Sequence, residues 1–381
     1  MRMYGSFLAI MFSAAVGCGD SGSAEPQGGS GGEATAGGGG AGGADPACEP
    51  GSHDDGTGTC VAALGEFADA SPLAFARDHH MTWAVERSAG KFLFVAGGYK
   101  NMTTEVSSIE RAQIAEDGSL GAWQTLTPEA DTSGAIIGTS GNTVVLAGGY
   151  RGNGPSKVTE IATIDDSGAI SDLTLAEPLN QSRFHGAGVQ SHGFFYAVGG
   201  MDGSGTSLAT LERASYQDGV LGAWTTLPVE MPEARSHQGV ATNDESIYVT
   251  GGLSRINNDF ANDASYDTVL RGVLAEDGSI GAFTQQTPLP LTLSIHSSFV
   301  HAGHLYVVGG LDVDASKFLK TIYRAPIGED GDLAEWEEVS VQLPRARGHS
   351  HQTPVVDGVL YSVGGHLNGT SQDEVYFAKF E

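Results

Sequence analysis

The 381-residue chain is short of cysteine, of positive charge and of long apolar segments. Its three cysteines, Cys18, Cys48 and Cys60, all lie before residue 61, which excludes thiol chemistry from the rest of the chain. Lys and Arg total 19 against 46 Asp and Glu. The formal net charge of −27 disfavours nucleic acid and anionic lipid headgroups as partners. The composition therefore favours neutral or cationic partners.

The first residues have the pattern of an export signal. Arg2 supplies the positive end, and the apolar run from Phe7 to Val16 is too short to span a bilayer. The following AAVGC resembles a bacterial lipoprotein cleavage site, although Ala15 stands where Leu is usual. We therefore expect residues 1–17 to be a signal peptide and Cys18 to be lipidated. Ordinary signal-peptidase cleavage and secretion is the alternative.

Two further segments precede the main part of the chain. Gly19 to Ala47 is Gly, Ala and Ser with little else, which cannot bury a core. Residues 18–47 are therefore expected to be a lipidated, flexible linker. Cys48 and Cys60 bracket the segment CEPGSHDDGTGTC, and an even number of exported cysteines predicts a small disulfide loop over residues 48–60.

From residue 61 onwards the chain is periodic. Six short apolar runs end in Gly-Gly, at intervals of 51 to 58 residues. The first glycines of the pairs are Gly97, Gly148, Gly199, Gly251, Gly309 and Gly364. Short runs of β-branched and aromatic residues are typical of buried strands. Periods of about 50 residues are typical of propeller blades.

A second strand pair follows each of the first five Gly-Gly pairs. A tight turn such as EDGS at 116–119 joins two runs of roughly alternating residues, which predicts a hairpin. The run after the turn carries a large side chain that we expect to pack between neighbouring blades. These side chains are Trp123, Leu173, Trp224, Phe283 and Trp336. Leu173 is the smallest, so the second repeat is expected to pack more loosely.

Four strands per repeat, a to d in chain order, predict an all-β fold. Six repeats indicate a six-bladed β-propeller over residues 61–381, with four antiparallel strands in each blade. The sixth repeat lacks strand d, whereas LGEFADASPL at 64–73 has the strand d pattern but precedes the first repeat. Residues 64–73 are therefore expected to complete the last blade and close the ring, which removes two open sheet edges.

This pattern resembles the bacterial kelch-repeat family, within the galactose oxidase and kelch-like group. The resemblance covers Leu64 to Glu381 and rests on the Gly-Gly pairs, the strand d aromatics and the R-x-H before strand a. It implies a kelch-type β-propeller. It leaves function open, because propellers of this kind serve as enzymes, scaffolds and sugar binders.

The loops from each strand d to the next strand a carry the candidate ligand-binding residues. They are Arg77, His79, Arg183, His185, Arg235, His237, His296, Arg347 and His349. We expect these loops and the b–c loops, the longest of which is Leu253 to Asp267, to lie on one face. Arg and His there could hold an anionic sugar or a carboxylate at the channel mouth. Alternatively, they tie each d–a loop to the next blade, as kelch consensus residues.

No metal site or cofactor is expected. Metal ligands must converge within about 2 Å of one ion, whereas residues at a propeller mouth are spread round a ring. The copper-oxidase members of the kelch-like group use a cysteine cross-linked to tyrosine, and the repeats contain no cysteine. The sequence also lacks a nucleophile motif, a phosphate loop and a dinucleotide fingerprint.

The sequence thus predicts an exported, non-catalytic, monomeric propeller at the outer membrane, facing the periplasm or the surface. Its expected partner is a protein or glycan of the envelope, with membrane contact only through the lipid anchor. The alternative function is a sugar-modifying enzyme similar to sialic-acid mutarotase propellers, using Arg183, His185, Arg235 and His237. A third possibility is a purely structural surface spacer.

Overall fold

The computed structural model describes residues 52–54, 60–152, 154–217, 219–259, 263–350 and 352–381. Within these ranges the fold is all-β, as predicted, with strands joined by turns and loops and no helix. The described part of the chain accordingly offers no helix suited to crossing a membrane. The predicted signal peptide, the linker with Cys18, and Cys48 of the predicted disulfide lie outside these residues.

Six antiparallel sheets make up most of the structure, and each contains the four strands a to d in order. Sheet 1 contains Met81–Arg87, Gly90–Ala96, Ile109–Ile114 and Gln124–Leu126. Sheet 2 contains Ile136–Ser140, Thr143–Ala147, Thr159–Thr163 and Thr174–Ala176. Sheet 3 contains Ala187–Ser191, Phe194–Val198, Leu208–Gln217 and Thr225–Arg235, with Val220–Leu221 as a fifth strand.

The other three sheets repeat this order. Sheet 4 contains Gly239–Thr242, Ser246–Thr250, Val269–Val273 and Thr284–Gln286. Sheet 5 contains Ser297–His301, His304–Val308, Ile322–Pro326 and Glu337–Glu338. Sheet 6 contains Val355–Val356, Val359–Val363 and Val375–Lys379, and its fourth strand is Ala68–Asp69.

Short two- and three-residue strands elaborate the b–c loops and the N-terminal segment. The b–c hairpins pair Tyr99–Lys100 with Thr104–Glu105, Tyr150–Arg151 with Gly154–Pro155, Leu253–Ser254 with Ala264–Ser265, and His366–Leu367 with Thr370–Ser371. In the fifth b–c loop, Leu311–Asp312 pairs with both Lys317–Phe318 and Leu293–Ser294. Ser52–Asp54 pairs with Cys60–Ala62.

Consecutive sheets pack face to face, and each of the six apolar clusters combines residues of two sheets. Sheets 1 and 2 share one cluster, and the other clusters join sheets 2 and 3, 3 and 4, 4 and 5, 5 and 6, and 6 and 1. Strand b is covered on both sides, which is why Thr143–Ala147 and Ser246–Thr250 are buried at every residue. A strand of this kind appears in the sequence as an uninterrupted apolar run.

The large side chains of strand d occupy these sheet interfaces, as predicted. Trp123 packs in the cluster of sheets 6 and 1, Trp224 in that of sheets 2 and 3, and Trp336 in that of sheets 4 and 5. Two of the indole N–H groups also bond across the interface, from Trp123 to Ser71 O at 2.8 Å and from Trp336 to Thr287 O at 3.0 Å. Phe67, from the N-terminal segment, supplies the matching side chain between sheets 5 and 6.

The N-terminal segment and the C-terminal strand form one sheet. Ala68 pairs with Phe377, and Asp69 pairs with Tyr376. The pairing continues outward, because Gly65 N donates to Lys379 O at 2.7 Å and Glu381 N donates to Ala63 O at 2.9 Å. Strand d of sheet 6 is therefore drawn from the opposite end of the chain from strands a to c.

Candidate functional site

The d–a loops meet in a closed cycle of six backbone hydrogen bonds. In each bond the residue at the His position of the R-x-H motif donates its N–H to the carbonyl oxygen of the residue at the same position in the preceding d–a loop. The N···O distances are 2.6 to 3.3 Å. These six ring residues are His79, Gly134, His185, His237, Ile295 and His349. All six have φ between 53° and 58°. For a side-chain-bearing residue this conformation costs about 1–3 kcal/mol, so the surroundings must enforce it.

Four of the ring residues form a cluster of imidazoles, which we call the histidine cluster: His79, His185, His237 and His349. Each is buried, with exposed fractions of 3, 4, 7 and 7% respectively. The ring centroids of His79 and His349 are 3.8 Å apart, and those of His185 and His237 are 3.7 Å apart. His79 and His185 connect the two pairs at 4.8 Å. The sequence predicted a ring of separated residues, whereas the side chains converge.

Asp78 fixes one of these imidazoles. Its carboxylate Oδ1 lies 2.6 Å from His79 Nδ1, and its Oδ2 accepts a hydrogen bond from the Ser371 hydroxyl. Burial opposes ionisation of Asp78, but the bonds from His79 and Ser371 more than offset it, so its pKa is lowered. A carboxylate on Nδ1 selects the tautomer that keeps the lone pair on Nε2. Asp78 stands at the variable position of the R-x-H motif and Ser371 in a b–c loop, so no repeated residue pointed to either.

The four predicted arginines are buried inside the sheets. Arg77, Arg183, Arg235 and Arg347 are at most 1% exposed. Each donates to carbonyl groups of the sheet that follows its loop, as Arg183 does to Gly199 O at 2.7 Å and to Thr210 O at 3.2 Å. Arg77 and Arg183 also pair with the buried carboxylates of Glu110 and Glu212. These bonds tie each d–a loop to the following sheet, which is the structural alternative to ligand binding given in the sequence analysis.

Burial has lowered the pKa of every one of these arginines, and that of Arg347 to about 10. Arg235 and Arg347 also lie over the rings of Tyr266 and Tyr376, at 4.4 and 4.6 Å. The N–H groups of these guanidinium groups donate to protein carbonyls, and a ligand role for them stays a prediction.

His296 occupies a different place from the other predicted histidines. Ile295 is the ring residue of its loop, so His296 is one residue further and lies between sheets 4 and 5. Its Nε2 accepts a hydrogen bond from Gly239 N at 3.2 Å and lies 2.8 Å from Thr250 Oγ1. Complete burial lowers the pKa of His296 to about 3, so this imidazole is neutral.

Aromatic side chains flank the histidine cluster on the side of sheet 2. Gly134, the ring residue of that sheet, has no side chain, and a Cβ there would lie 2.6 Å from the ring of Phe184. Phe184 fills this space and contacts His185 with ring centroids 3.6 Å apart. Tyr150 meets the edge of Phe184 at 5.3 Å, and Tyr99 lies 6.0 Å from His79. The cluster therefore has an apolar wall on one side.

The b–c loops surround the d–a loops, and we call the two sets together the loop face. An open cavity of about 660 Å³ lies between the loops of sheets 2 and 3, lined by Arg151, Gly152, Gly154, Pro155, Ser156 and Gly203. Phe75 and Ile256, both on this face, are 48% and 64% exposed. Arg255 beside Ile256 pairs with Asp263, which braces the longest loop.

Comparison with known proteins gives two similarities, and no family model matches the chain. The chain is 24% identical over 307 residues to the kelch-like protein terF of Aspergillus terreus, a match covering 75% of this chain and 60% of that protein. It is 23% identical over 215 residues to alpha-scruin of Limulus polyphemus, covering 55% of this chain and 22% of that protein. The chain thus spans less than two thirds of either relative. Together the two similarities support a kelch-repeat assignment and suggest a β-propeller.

Proposed function

We propose that the chain is a non-catalytic, six-bladed kelch-type propeller, closed by residues 64–73, that binds a protein or a carbohydrate through its loop face. Six sheets packed in sequence, with sheet 6 against sheet 1, support the blade number. The cycle of six backbone hydrogen bonds supports closure. The two relatives are compatible with a propeller that mediates protein interactions.

One observation carries the choice of the loop face. The a–b and c–d connections are short turns, whereas the b–c loops extend into hairpins, all on the side of the histidine cluster. The cavity beside Arg151 and the exposed side chains of Phe75 and Ile256 lie on that same side. Loops held on a rigid scaffold, with exposed apolar groups near polar ones, are the usual form of a binding surface.

The proposed location is the cell envelope, with Cys18 as the lipidated residue, a disulfide between Cys48 and Cys60, and a monomeric propeller beyond the linker. These features rest on the sequence pattern of residues 1–60. Export would bring the loop face into contact with envelope proteins and glycans. Secretion without the anchor is the alternative.

A glycan array and a pull-down from envelope extracts test the proposed ligand class. We expect the wild-type chain to retain a defined glycan or protein and the Ile256→Ser variant to lose at least about tenfold in affinity, since removing a buried apolar contact costs about 1.5–3 kcal/mol. Val220→Ser is the matched control, because Val220 is 68% exposed, close to the 64% of Ile256, but lies at the c–d turn of sheet 3. Equal loss in both variants, or no ligand in either assay, would contradict binding through the loop face.

A sugar-modifying enzyme remains the alternative, and the buried Asp78–His79 pair is what favours it. A carboxylate that orients an imidazole is a recurrent general acid–base arrangement. Of the residues predicted for this enzyme, Arg183 and Arg235 donate hydrogen bonds into sheets 3 and 4, whereas His185 and His237 stack on each other. The rate at which sialic acid anomers exchange, measured by NMR with and without the wild-type chain, distinguishes the two functions. Only an enzyme accelerates this exchange.

A further inference from the structure

We propose that His79, His185 and His349 bind one divalent transition-metal ion such as Zn²⁺ at the centre of the loop face. One nitrogen of each imidazole can be chosen so that all three lie within 4.8 Å of one another. All three residues are buried and come from three different loops. In the cycle of backbone bonds His79 lies next to His349 and is separated from His185 only by Gly134, which has no side chain. This inference goes beyond the proposed binding function and does not depend on it.

The separation of the nitrogens is close to what an ion requires. Two imidazoles on one tetrahedral zinc have their nitrogens about 3.3 Å apart, because each Zn–N bond is about 2.0–2.1 Å. The three nitrogens already lie within 4.8 Å of one another, so binding an ion requires the side chains to move together by about 1.5 Å at most. Three protein ligands leave one coordination position for water or for a group on a bound ligand.

Asp78 gives an independent indication of a metal site. Imidazole ligands of metals nearly always donate their other ring N–H to a carboxylate or a carbonyl, which fixes the ring and raises its basicity. Asp78 accepts from His79 Nδ1 at 2.6 Å and is itself held by Ser371. The arrangement presents Nε2 of His79 with its lone pair, and the buried carboxylate partly balances the charge of a divalent cation.

The composition of the site selects the class of metal. Imidazole nitrogens suit Zn²⁺, Cu²⁺, Ni²⁺ and Fe²⁺, whereas Mg²⁺ and Ca²⁺ require several oxygen ligands. The apolar wall of Phe184 supplies no oxygen donor. His237 stacks on His185 but is not one of the three residues whose nitrogens converge.

The test is Zn²⁺ titration of the untagged full chain against a chromophoric chelator, with Mg²⁺ titrated in parallel. We expect one Zn²⁺ per chain, no competition from Mg²⁺, and a raised thermal midpoint when Zn²⁺ is present, since an ion that binds only the folded state stabilises it. No Zn²⁺ uptake by the folded wild-type chain, or equal affinity for Mg²⁺, would overturn the proposal.

Four variants assign the ligands. His185→Asn and His349→Asn should each weaken Zn²⁺ binding by at least tenfold, and Asp78→Asn should weaken it by about 10–100-fold, as second-shell changes usually do. His192→Asn, at an exposed turn outside the cluster, should bind as the wild type does, and Asn suits the left-handed backbone at all three histidine positions. Equal affinities in all four variants would refute the assignment.

Zinc-edge X-ray absorption of the wild-type chain gives a second readout that needs no variant. Three imidazole nitrogens at about 2.0 Å would support the site. A shell made of oxygens alone, or one with fewer than three imidazoles, would refute it even if the variants failed to fold.

Discussion

The glycine pairs and the R-x-H motif make the same contacts in each repeat that contains them. The second glycine of every Gly-Gly pair donates its amide to the carbonyl of the following loop, at 2.7 to 3.1 Å. The first glycine approaches the same carbonyl so closely that a Cβ on Gly97 would lie 2.1 Å from Thr132 O. The two residues of the R-x-H motif also differ in their contacts. The Arg side chain donates to carbonyls of the following sheet, whereas the His backbone forms part of the central cycle of hydrogen bonds.

His296 should make folding stability depend on pH. Its pKa is about 3 in the folded protein and 6.5 in an unfolded chain, so between these values the unfolded state binds the extra proton. Stability attributable to this residue is therefore intact above pH 6.5 and is lost as the pH falls below it, by up to about 1.4 kcal/mol per pH unit.

Urea unfolding at several pH values between 4.5 and 8 would measure this dependence. We expect His296→Gln to lower stability at pH 8, since hydrogen bonds at Gly239 and Thr250 are disturbed, and to flatten the slope below pH 6.5. His192→Asn, at an exposed turn, should leave the slope unchanged. A slope in His296→Gln that equals the wild-type slope would show that His296 does not remain neutral.

At the scale of the strand, the b strands also form hydrogen bonds between neighbouring sheets. In three sheets a tyrosine of strand b donates its hydroxyl to a carbonyl in the c–d turn of the next sheet: Tyr196 to Gly278 at 3.0 Å, Tyr248 to Gly331 at 2.7 Å, and Tyr361 to Gly118 at 2.7 Å. The bond from Tyr361 joins sheet 6 to sheet 1. Polar contacts therefore reinforce the face with the short turns, opposite the loop face.

Tyr248→Phe should lower the free energy of unfolding by about 1–3 kcal/mol, because it leaves the carbonyl of Gly331 without its buried donor. Thermal and urea unfolding would measure the loss. Tyr323→Phe is the control, since Tyr323 is only half-buried in strand c of sheet 5 and should change stability by less than about 0.5 kcal/mol. Comparable losses in both would mean that the bond across the interface contributes little.

The strands were largely predictable because glycine pairs, Asp-Gly turns and apolar runs are local signals, and the packing of Trp123 and Trp336 followed from their period. Sequence did not predict the small hairpins of the b–c loops, whose strands of two residues have no pattern of their own. It also did not predict the convergence of His79, His185 and His349, because a repeated loop motif does not reveal the direction of its side chains. The role of Asp78 was not predictable from the sequence, because it depends on the contacts of its carboxylate with His79 and Ser371.

At the scale of the whole molecule, residues 61–74 are expected to be indispensable. Removing them takes away strand Ala68–Asp69 and the Phe67 side chain between sheets 5 and 6, and it exposes the edge of Val375–Lys379. We expect the shortened chain to unfold or to associate through that edge, as exposed strands do. Circular dichroism and sedimentation would distinguish these outcomes.

Deletion of residues 19–47 is the matched control, and it should leave the fold and the monomeric state unchanged. A folded, monomeric product from the 61–74 deletion would instead mean that the N-terminal strand is dispensable and that the proposed closed ring is wrong.

The hydrogen bonds that join Ala63 to Glu381 place the two ends of the repeat region side by side. A short peptide between them would make the repeat region circular and leave every strand of the six sheets in place. The choice of where to cut such a circle is then free, and a short turn such as Asp165–Ala169 could carry new termini. We therefore expect circular permutants of the repeat region to form the same six sheets.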